Sequence, residues 1–236
     1  MHADIITIGD EILIGQIEDT NSAWMADFLE SNGIKVRQIT SVSDEPAHIS
    51  SALDHSMSSA DLVLVTGGLG PTNDDVTKKT LCDYFKDELI FDDEVFKHVN
   101  DFFSKRNRRV NEYTKSQAMV PASCSVIKND IGTAPGMWFD KNSAIVVSMP
   151  GVPIEMKQMM EKVLGLLKNK QTFPEIIHQT IYVRGILESH LAEMIADWEA
   201  ALPSVIKLAY LPSKGCLRLR FTAIGKDKNM MQSLIE

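Results

Sequence analysis

The run Thr66-Gly67-Gly68-Leu69-Gly70-Pro71-Thr72-Asn73-Asp74-Asp75-Val76-Thr77 places two acids directly after a glycine-rich turn. It follows an apolar strand-like stretch and opens a helical one. At such a junction free backbone amides point outward and the positive end of the helix dipole favours an anion. Glycines at 67, 68 and 70 let the chain approach phosphate oxygens, with Thr66 and Thr72 beside them. Three glycines alone would equally suit a tight turn with a capping aspartate. Carboxylates next to a phosphate repel it unless a cation lies between, so Asp74 and Asp75 point to a phosphate site bridged by Mg²⁺.

Further acids are expected at the same place. Gly9-Asp10-Glu11-Ile12-Leu13 follows the first strand and Asp44 follows the second. Asp10 and Glu11 also read as exposed loop acids, and Asp44 as a helix N-cap. If the strands are parallel, Asp10, Asp44, Asp74 and Asp75 all emerge on the carboxyl edge, where open α/β sheets bind ligands. The candidate catalytic acids are Asp75, Asp44 and Asp10, and the candidate metal ligands are Asp75, Asp74, Asp10 and Glu11. Two later loops supply backbone poor in side chains: Gly132-Thr133-Ala134-Pro135-Gly136, and Met149-Pro150-Gly151-Val152-Pro153-Ile154-Glu155. From these, Gly132, Thr133, Ala134, Gly136, Pro150, Gly151 and Glu155, with Ser148 just ahead, are candidate substrate contacts. No Lys-Ser or Lys-Thr pair follows the glycines and the first strand leads to no dinucleotide fingerprint, which argues against a P-loop kinase or an NAD dehydrogenase. His48, His55 and His98 lack metal-ligand spacing, and no nucleophilic triad is defensible.

The elements that must hold these residues alternate. Strands are expected at Ile5 to Ile8, Val36 to Ile39 and Leu62 to Val65. A helix from about Asn21 carries Ala23, Phe28 and Leu29 and stops at Gly33; another carries Ile49, Leu53 and Met57. After the glycine run, Val76, Leu81, Tyr84 and Phe85 suggest a helix, and Val95, Phe96, Val99, Phe102 and Phe103 an apolar stripe on the next one. Lys105 to Tyr113 is polar, and Arg106, Arg108 and Arg109 read as surface charge with anion contact as the minority alternative. Ser125 to Lys128, Met137 to Phe139 and Ala144 to Val147 are further strands, with a turn over 140–143, and a helix from near Ile154 to Lys168 closes the unit. The pattern predicts an α/β fold with a mostly parallel doubly wound sheet over residues 1–170. Residues 171–236 predict a smaller α+β domain: a strand at Thr180 to Val183, a capped helix at Ser189 to Trp198, and strands at Ile206 to Tyr210 and Leu217 to Ile224.

Composition narrows the classes. With 24 Lys and Arg against 32 Asp and Glu, the net charge of −8 speaks against a surface built for nucleic acid or anionic lipid. Hydrophobic residues at 44% and charged residues at 24% are ordinary globular values. Apolar runs are strand-sized, Asp4, Asp10 and Glu11 interrupt any secretory signal, and Cys82, Cys124 and Cys216 are too far apart for a disulfide framework or zinc site. A cytoplasmic location is expected.

The quoted motifs, with Leu208-Ala209-Tyr210-Leu211-Pro212-Ser213 and Leu217-Arg218-Leu219-Arg220, resemble the amino-terminal region of the CinA (competence/damage-inducible) family, a molybdopterin-binding domain followed by a KH-type domain. The resemblance covers essentially the whole chain. It implies a metal-dependent ADP-ribose pyrophosphatase that yields AMP and ribose 5-phosphate, using a divalent cation, Mg²⁺, with a monovalent cation as a further candidate. In related adenylyltransferases the acids matching Asp44 and Asp75 lie at the site, and the glycine loops hold pterin or nucleotide phosphates. Amides of Gly67, Gly68 and Gly70 are expected to face the developing charge. Full-length relatives often add a nicotinamide mononucleotide deamidase domain; the sequence ends at Glu236, and no deamidase activity is expected of it. Leu187 stands where the family commonly has glycine, and the second domain lacks a Gly-x-x-Gly clamp, so RNA binding is not expected. The alternatives are a molybdopterin adenylyltransferase and a non-catalytic nucleotide-binding or assembly module. A homodimer is expected, because the Val95 to Phe103 helix carries more apolar surface than a small domain readily covers.

Overall fold

The computed structural model describes residues 1–72, 74–141 and 144–235. The chain divides into two units: Met1–Phe28 with Lys35–Gln171, and Leu29–Ile34 with the chain from Thr172 onward. In the first unit the strands are β1 (His2–Ile8), β2 (Lys35–Val42), β3 (Leu62–Thr66), β4 (Leu89–Phe91), β5 (Met119–Pro121), β6 (Ser125–Ile127), β7 (Gly136–Lys141) and β8 (Ala144–Met149). Its helices are α1 (Asp10–Leu13), α2 (Thr20–Glu30), α3 (Pro46–Met57), α4 (Thr77–Tyr84), α5 (Asp93–Ser104), α6 (Glu112–Lys115) and α7 (Pro153–Lys170).

The main sheet runs β2-β1-β3-β8-β7-β6. The β2, β1, β3 and β8 strands are mutually parallel, and β7 and β6 extend the sheet antiparallel. The α/β fold with a mostly parallel sheet is therefore present, with an antiparallel edge. Residues 142 and 143 of the expected turn between β7 and β8 lie outside the described residues. Every residue of β3 and β8 is buried, as in a strand covered on both faces. The core beneath joins Ile6, Ile8, Val63 and Val65 to Ile49 and Leu53 of α3, and to Phe139 and Val146 across the sheet.

Several expectations change in detail. In α2 Leu29 is buried as expected, with Ser22 and Met25 beside it on the inward side, whereas Ala23 is exposed and Phe28 half-buried. Asp44 does not cap α3; its N-cap position is Glu45, with no side-chain bond. The α5 stripe buries Val95 and Val99 against Ala118, with Phe96 and Phe103 packed on the same cluster, whereas Phe102 lies under the Arg106 guanidinium at 3.6 Å. The apolar surface of that helix is covered largely within its own unit, so it lends no support to a homodimer. β4 and β5 form a separate antiparallel pair.

The second unit contains β9 (Glu175–Val183), α8 (Glu188–Ala200), β10 (Ile206–Ser213), β11 (Cys216–Gly225) and α9 (Lys228–Ile235). The antiparallel sheet β10-β11-β9 buries Leu217, Leu219, Phe221 and Ala223 with Leu191 and Met231. α8 has no side-chain cap; Leu187 occupies its N-cap position at φ −77° and ψ 147°, a conformation any residue adopts. The departure from glycine at 187 therefore strains nothing. Among the described residues no helix is long and apolar enough to cross a membrane.

One buried acid is purely structural. The register between β1 and β2 shifts after Ala3, so that Arg37 has no strand partner opposite it. Its guanidinium turns onto the buried Asp4 carboxylate, with Nε donating to Oδ1 at 2.9 Å and Nη2 to Oδ2. Replacing Arg37 with Met leaves an unpaired charge at a site only 1% exposed, and we expect a loss of about 3 kcal/mol in urea unfolding, with much of it recovered in the Asp4→Leu/Arg37→Met double variant.

Candidate functional site

The carboxyl ends of β1, β3 and β8 form the floor of a cavity of about 490 Å³, within the range of about 300–1,000 Å³ usual for small-molecule sites. Gly67 shapes that floor. It takes φ +115°, its N–H donates to the Met149 carbonyl at 3.2 Å, and an added Cβ would lie 2.1 Å from the Ile8 carbonyl oxygen. The Thr66 hydroxyl donates to the Pro150 carbonyl at 2.9 Å, tying the first glycine loop to the third.

The acids sort into two arrangements. Asp10 and Asp44 exchange bonds: the Asp10 N–H donates to Asp44 Oδ2 at 3.0 Å and the Asp44 N–H to Asp10 Oδ1 at 3.4 Å. Burial pushes the Asp44 carboxyl above its ordinary pKa, the Asp10 N–H opposes this, and the charges of Asp10, Glu11 and Asp74 raise it further. Asp75 instead organises its own loop. Its Oδ1 accepts the Gly70 N–H at 2.7 Å, while Oδ2 accepts the Thr72 N–H at 2.9 Å and the Thr72 hydroxyl. The Thr72 hydroxyl also lies close enough to hold the exposed Asp74 carboxyl below the usual range. Asp75 does not cap α4, whose N-cap position is Val76. Asn73 lies outside the described residues.

Of the expected contacts, Glu11, Asp44, Asp74, Asp75, Thr66, Gly67, Gly68, Gly70, Thr133, Ala134, Pro150, Gly151 and Glu155 line the cavity. Asp10, Thr72, Gly132, Gly136 and Ser148 do not. Gly136 and Ser148 are buried within the paired strands β7 and β8. Gly132 serves close packing, since a Cβ there would lie 2.2 Å from Glu155 Oε2. The amides of Gly67 and Gly70 are already engaged internally, which corrects the expectation that both face a ligand. Among the described residues, Gly68 and Leu69 N–H have no partner. Arg106, Arg108 and Arg109 lie outside the lining, and the lining contains no Lys or Arg among the described residues. His98 Nε2 donates to the Gly132 carbonyl at 3.0 Å; His48 pairs with Ser43 and His55 with Gln38. A ring nitrogen facing a carbonyl must carry the proton, so His98 Nε2 is the donor.

Three residues of the site escaped sequence reasoning. Asn129, 1% exposed, donates to the Ala134 carbonyl at 2.9 Å and to Glu155 Oε2 at 2.6 Å, and accepts the Gly132 N–H at 2.9 Å. Its one signal was an Asn three residues ahead of a loop glycine, the spacing of a side chain that mimics a backbone turn. Asn21 at the start of α2 donates through Nδ2 to the Gly151 carbonyl at 2.7 Å, leaving buried Oδ1 without a partner. Gln117 sits on a single 3₁₀ turn, Ser116–Ala118, in the cavity wall, and carried no sequence signal at all.

Residues 4–169 match the family described as "Probable molybdopterin binding domain", and residues 178–236 match "Damage-inducible protein CinA KH domain". The chain belongs to the molybdopterin-binding-domain family. It is 50% identical over 237 residues to a CinA-like protein of Cytophaga hutchinsonii, covering 100% of this chain and 57% of that protein. It is 41% identical over 236 residues to a CinA-like protein of Chloroherpeton thalassium, covering 98% and 56% respectively. The chain thus spans just over half the length of these curated relatives. A crystal structure of CinA from Thermoplasma acidophilum, described as of unknown function, superposes with a TM-score of 0.63 at 34% identity over 69% of this chain and 97% of that one. In this member of the family the strand-edge cavity is acid-rich.

The Asp44 environment makes a signed prediction. A carboxyl whose pKa is raised by folding binds more protons in the folded than in the unfolded state, so its contribution to stability falls as pH rises above the unfolded value of about 3.9. Asp44→Asn keeps an acceptor for the Asp10 N–H and abolishes this term. Urea unfolding from pH 3.5 to 7 in the absence of divalent ions is expected to show a smaller decline for the variant than for the wild type.

Proposed function

We propose that the first unit hydrolyses the diphosphate of ADP-ribose to AMP and ribose 5-phosphate with the help of a divalent cation. The observation that carries this reading is the cavity wall: glycine-loop backbone beside Glu11, Asp44, Asp74, Asp75 and Glu155, with no Lys or Arg to balance them. A diphosphate enters such a wall only if a cation comes with it. Among the described residues no three metal-type side chains gather into a cage. Mg²⁺ is commonly held by one or two carboxylates together with substrate phosphates and water. Asp74 is the acid placed to hold it, and Asp75, whose Oδ1 retains a lone pair, adjoins it. When bound, the cation neutralises diphosphate charge and polarises the phosphoryl oxygens.

The chain's own part follows from its geometry. Free N–H groups of Gly68 and Leu69 hold phosphate oxygens at the floor. Asp75 keeps the Gly70–Thr72 backbone in register, so that the loop needs no rearrangement on binding. Asp44, its affinity for protons raised by burial first and by the neighbouring acids second, accepts the proton of the attacking water. The family's description as a molybdopterin-binding domain favours molybdopterin as the alternative ligand of the same loop, and with it an adenylyltransferase as the second reading.

Chromatography of reactions containing ADP-ribose, or ATP with molybdopterin, each with and without Mg²⁺, decides between these. AMP and ribose 5-phosphate formed only with the cation is the expected result; no AMP from folded protein under a metal screen rejects hydrolysis. Asp75→Asn keeps one acceptor oxygen of two, so we expect a loss of about 1–3 kcal/mol in stability together with a fall in turnover on the order of a hundredfold or more. Unchanged turnover would move the reaction away from this loop.

A further inference from the structure

We propose that Gln117 is the residue that reads the base of the bound nucleotide, pairing its carboxamide with the 6-amino group and adjacent ring nitrogen of adenine. This rests on the nucleotide reading of the cavity given above and extends it to base specificity.

Gln117 is 1% exposed and lies in the cavity lining, yet neither its Nε2 nor its Oε1 has a hydrogen-bond partner. A buried carboxamide with two donors and an acceptor unmet is costly, and native structures keep such a group only where water or a ligand completes it. The turn that carries it is held from several directions. Lys78 Nζ donates to the Ser116 carbonyl at 2.7 Å, the Ser116 hydroxyl to the Tyr113 carbonyl at 2.6 Å, and the Asp92 N–H to the Ala118 carbonyl at 2.8 Å. The amide is thus anchored at its backbone while its polar atoms stay unpaired, which is the arrangement of a preorganised recognition group.

What it recognises follows from its chemistry. A carboxamide offers a donor and an acceptor side by side, the complement of an amidine or amide edge. Gln is the residue type that pairs bidentately with adenine through the 6-amino group and a neighbouring ring nitrogen. A phosphate or sugar would use only half of it. Asn21, in the same lining, has its amide orientation set by donation to the Gly151 carbonyl, so its orphan Oδ1 demands a donor. The hydroxyls of a ribose supply one. Taken together, the two unmet groups ask for a nucleoside rather than for a bare diphosphate.

The test uses equilibrium binding of the full chain, measured by calorimetry with Mg²⁺ present, and does not require turnover. The probes are AMP and purine riboside 5′-monophosphate, which lacks the 6-amino group. Wild type is expected to bind AMP roughly tenfold or more tightly than the analogue, because the analogue leaves the Gln117 acceptor unpaired. In Q117L the two ligands are expected to bind equally, with AMP weakened to the level of the analogue and the Tm unchanged or raised, since an unmet polar group has been removed. Q117M, of similar length, serves the same purpose should Q117L fail to fold. Equal binding of both ligands by wild type, absence of AMP binding, or a folded variant that keeps the preference for AMP would each overturn the proposal. A preference for AMP that vanishes in the variant, in a protein that fails to cleave ADP-ribose, would reject the hydrolytic reading while leaving the assignment of Gln117 standing.

Discussion

The approach of two strand ends at backbone distance governs the first unit. At position 67 any side chain would place its first carbon 2.1 Å from the Ile8 carbonyl oxygen, and an added Cβ on Gly151 would stand 3.4 Å from Gly67 Cα. The ends of β1, β3 and β8 therefore meet as bare backbone, held by the Gly67 N–H on Met149 and the Thr66 hydroxyl on Pro150. Such contact is possible because the strands are parallel and buried on both faces, so that all their carboxyl ends open onto one surface. Once that surface is flat, the residues that follow each strand have nowhere to go but its rim. Asp10 and Asp44 then come within hydrogen-bonding reach of each other's backbone, although 34 residues separate them.

The unit treats its acids in two opposite ways. Asp4 is the most thoroughly buried of them at 1% exposure, and it is met by a guanidinium through two hydrogen bonds. At the rim the acids are left with one another and with backbone N–H groups, and burial, with the charges of Asp10, Glu11 and Asp74 behind it, raises the pKa of Asp44. Backbone amides satisfy the oxygens without cancelling their charge, so the field at the cavity stays negative. The fold pairs its buried acid with Arg37, yet the cavity lining at the strand ends holds acids with no Lys or Arg among the described residues, and there burial raises Asp44 above its ordinary pKa. An acid perturbed in this way inside a cleft marks a candidate functional site.

Much of this is legible in the sequence, for an identifiable reason. Continuous apolar runs such as Leu62 to Val65, separated by helical stripes, determine a parallel order, and parallel order alone predicts that Asp10, Asp44, Asp74 and Asp75 share an edge. Reading failed where a residue's role depends on contacts distant in the chain or on segments without a period. Ser148 resembled an available hydroxyl, but β8 is buried on both faces and its side chains do not reach the cavity. Asp44 had the position of a helix cap, yet Asp10, brought alongside by β1, competes for it and wins. Gln117 and Asn129 lie on a 3₁₀ turn and a loop, where neither alternation nor a 3.6-residue stripe marks the inward side. Buried amides of this kind show only as unmet or multiply met hydrogen-bonding capacity, which is a property of the folded chain.

The glycine loop and the Gln117 turn are also joined by charge. Lys78 lies on α4, directly after the loop, and donates to the Ser116 carbonyl next to Gln117. Desolvation lowers its ammonium to about 8, while the Asp75 charge resists that fall. The folded state consequently releases this proton earlier than the unfolded chain does. Between about pH 8 and the unfolded lysine value of about 10.4 this group's contribution to stability increases with pH. Over the same interval the neutral amine becomes a weaker donor to Ser116 and ceases to balance Asp75. The acid that sets the Gly70–Thr72 backbone and the turn that carries the unpaired amide thus share one cation, so the glycine loop and the Gln117 turn are coupled through Lys78 rather than assembled independently.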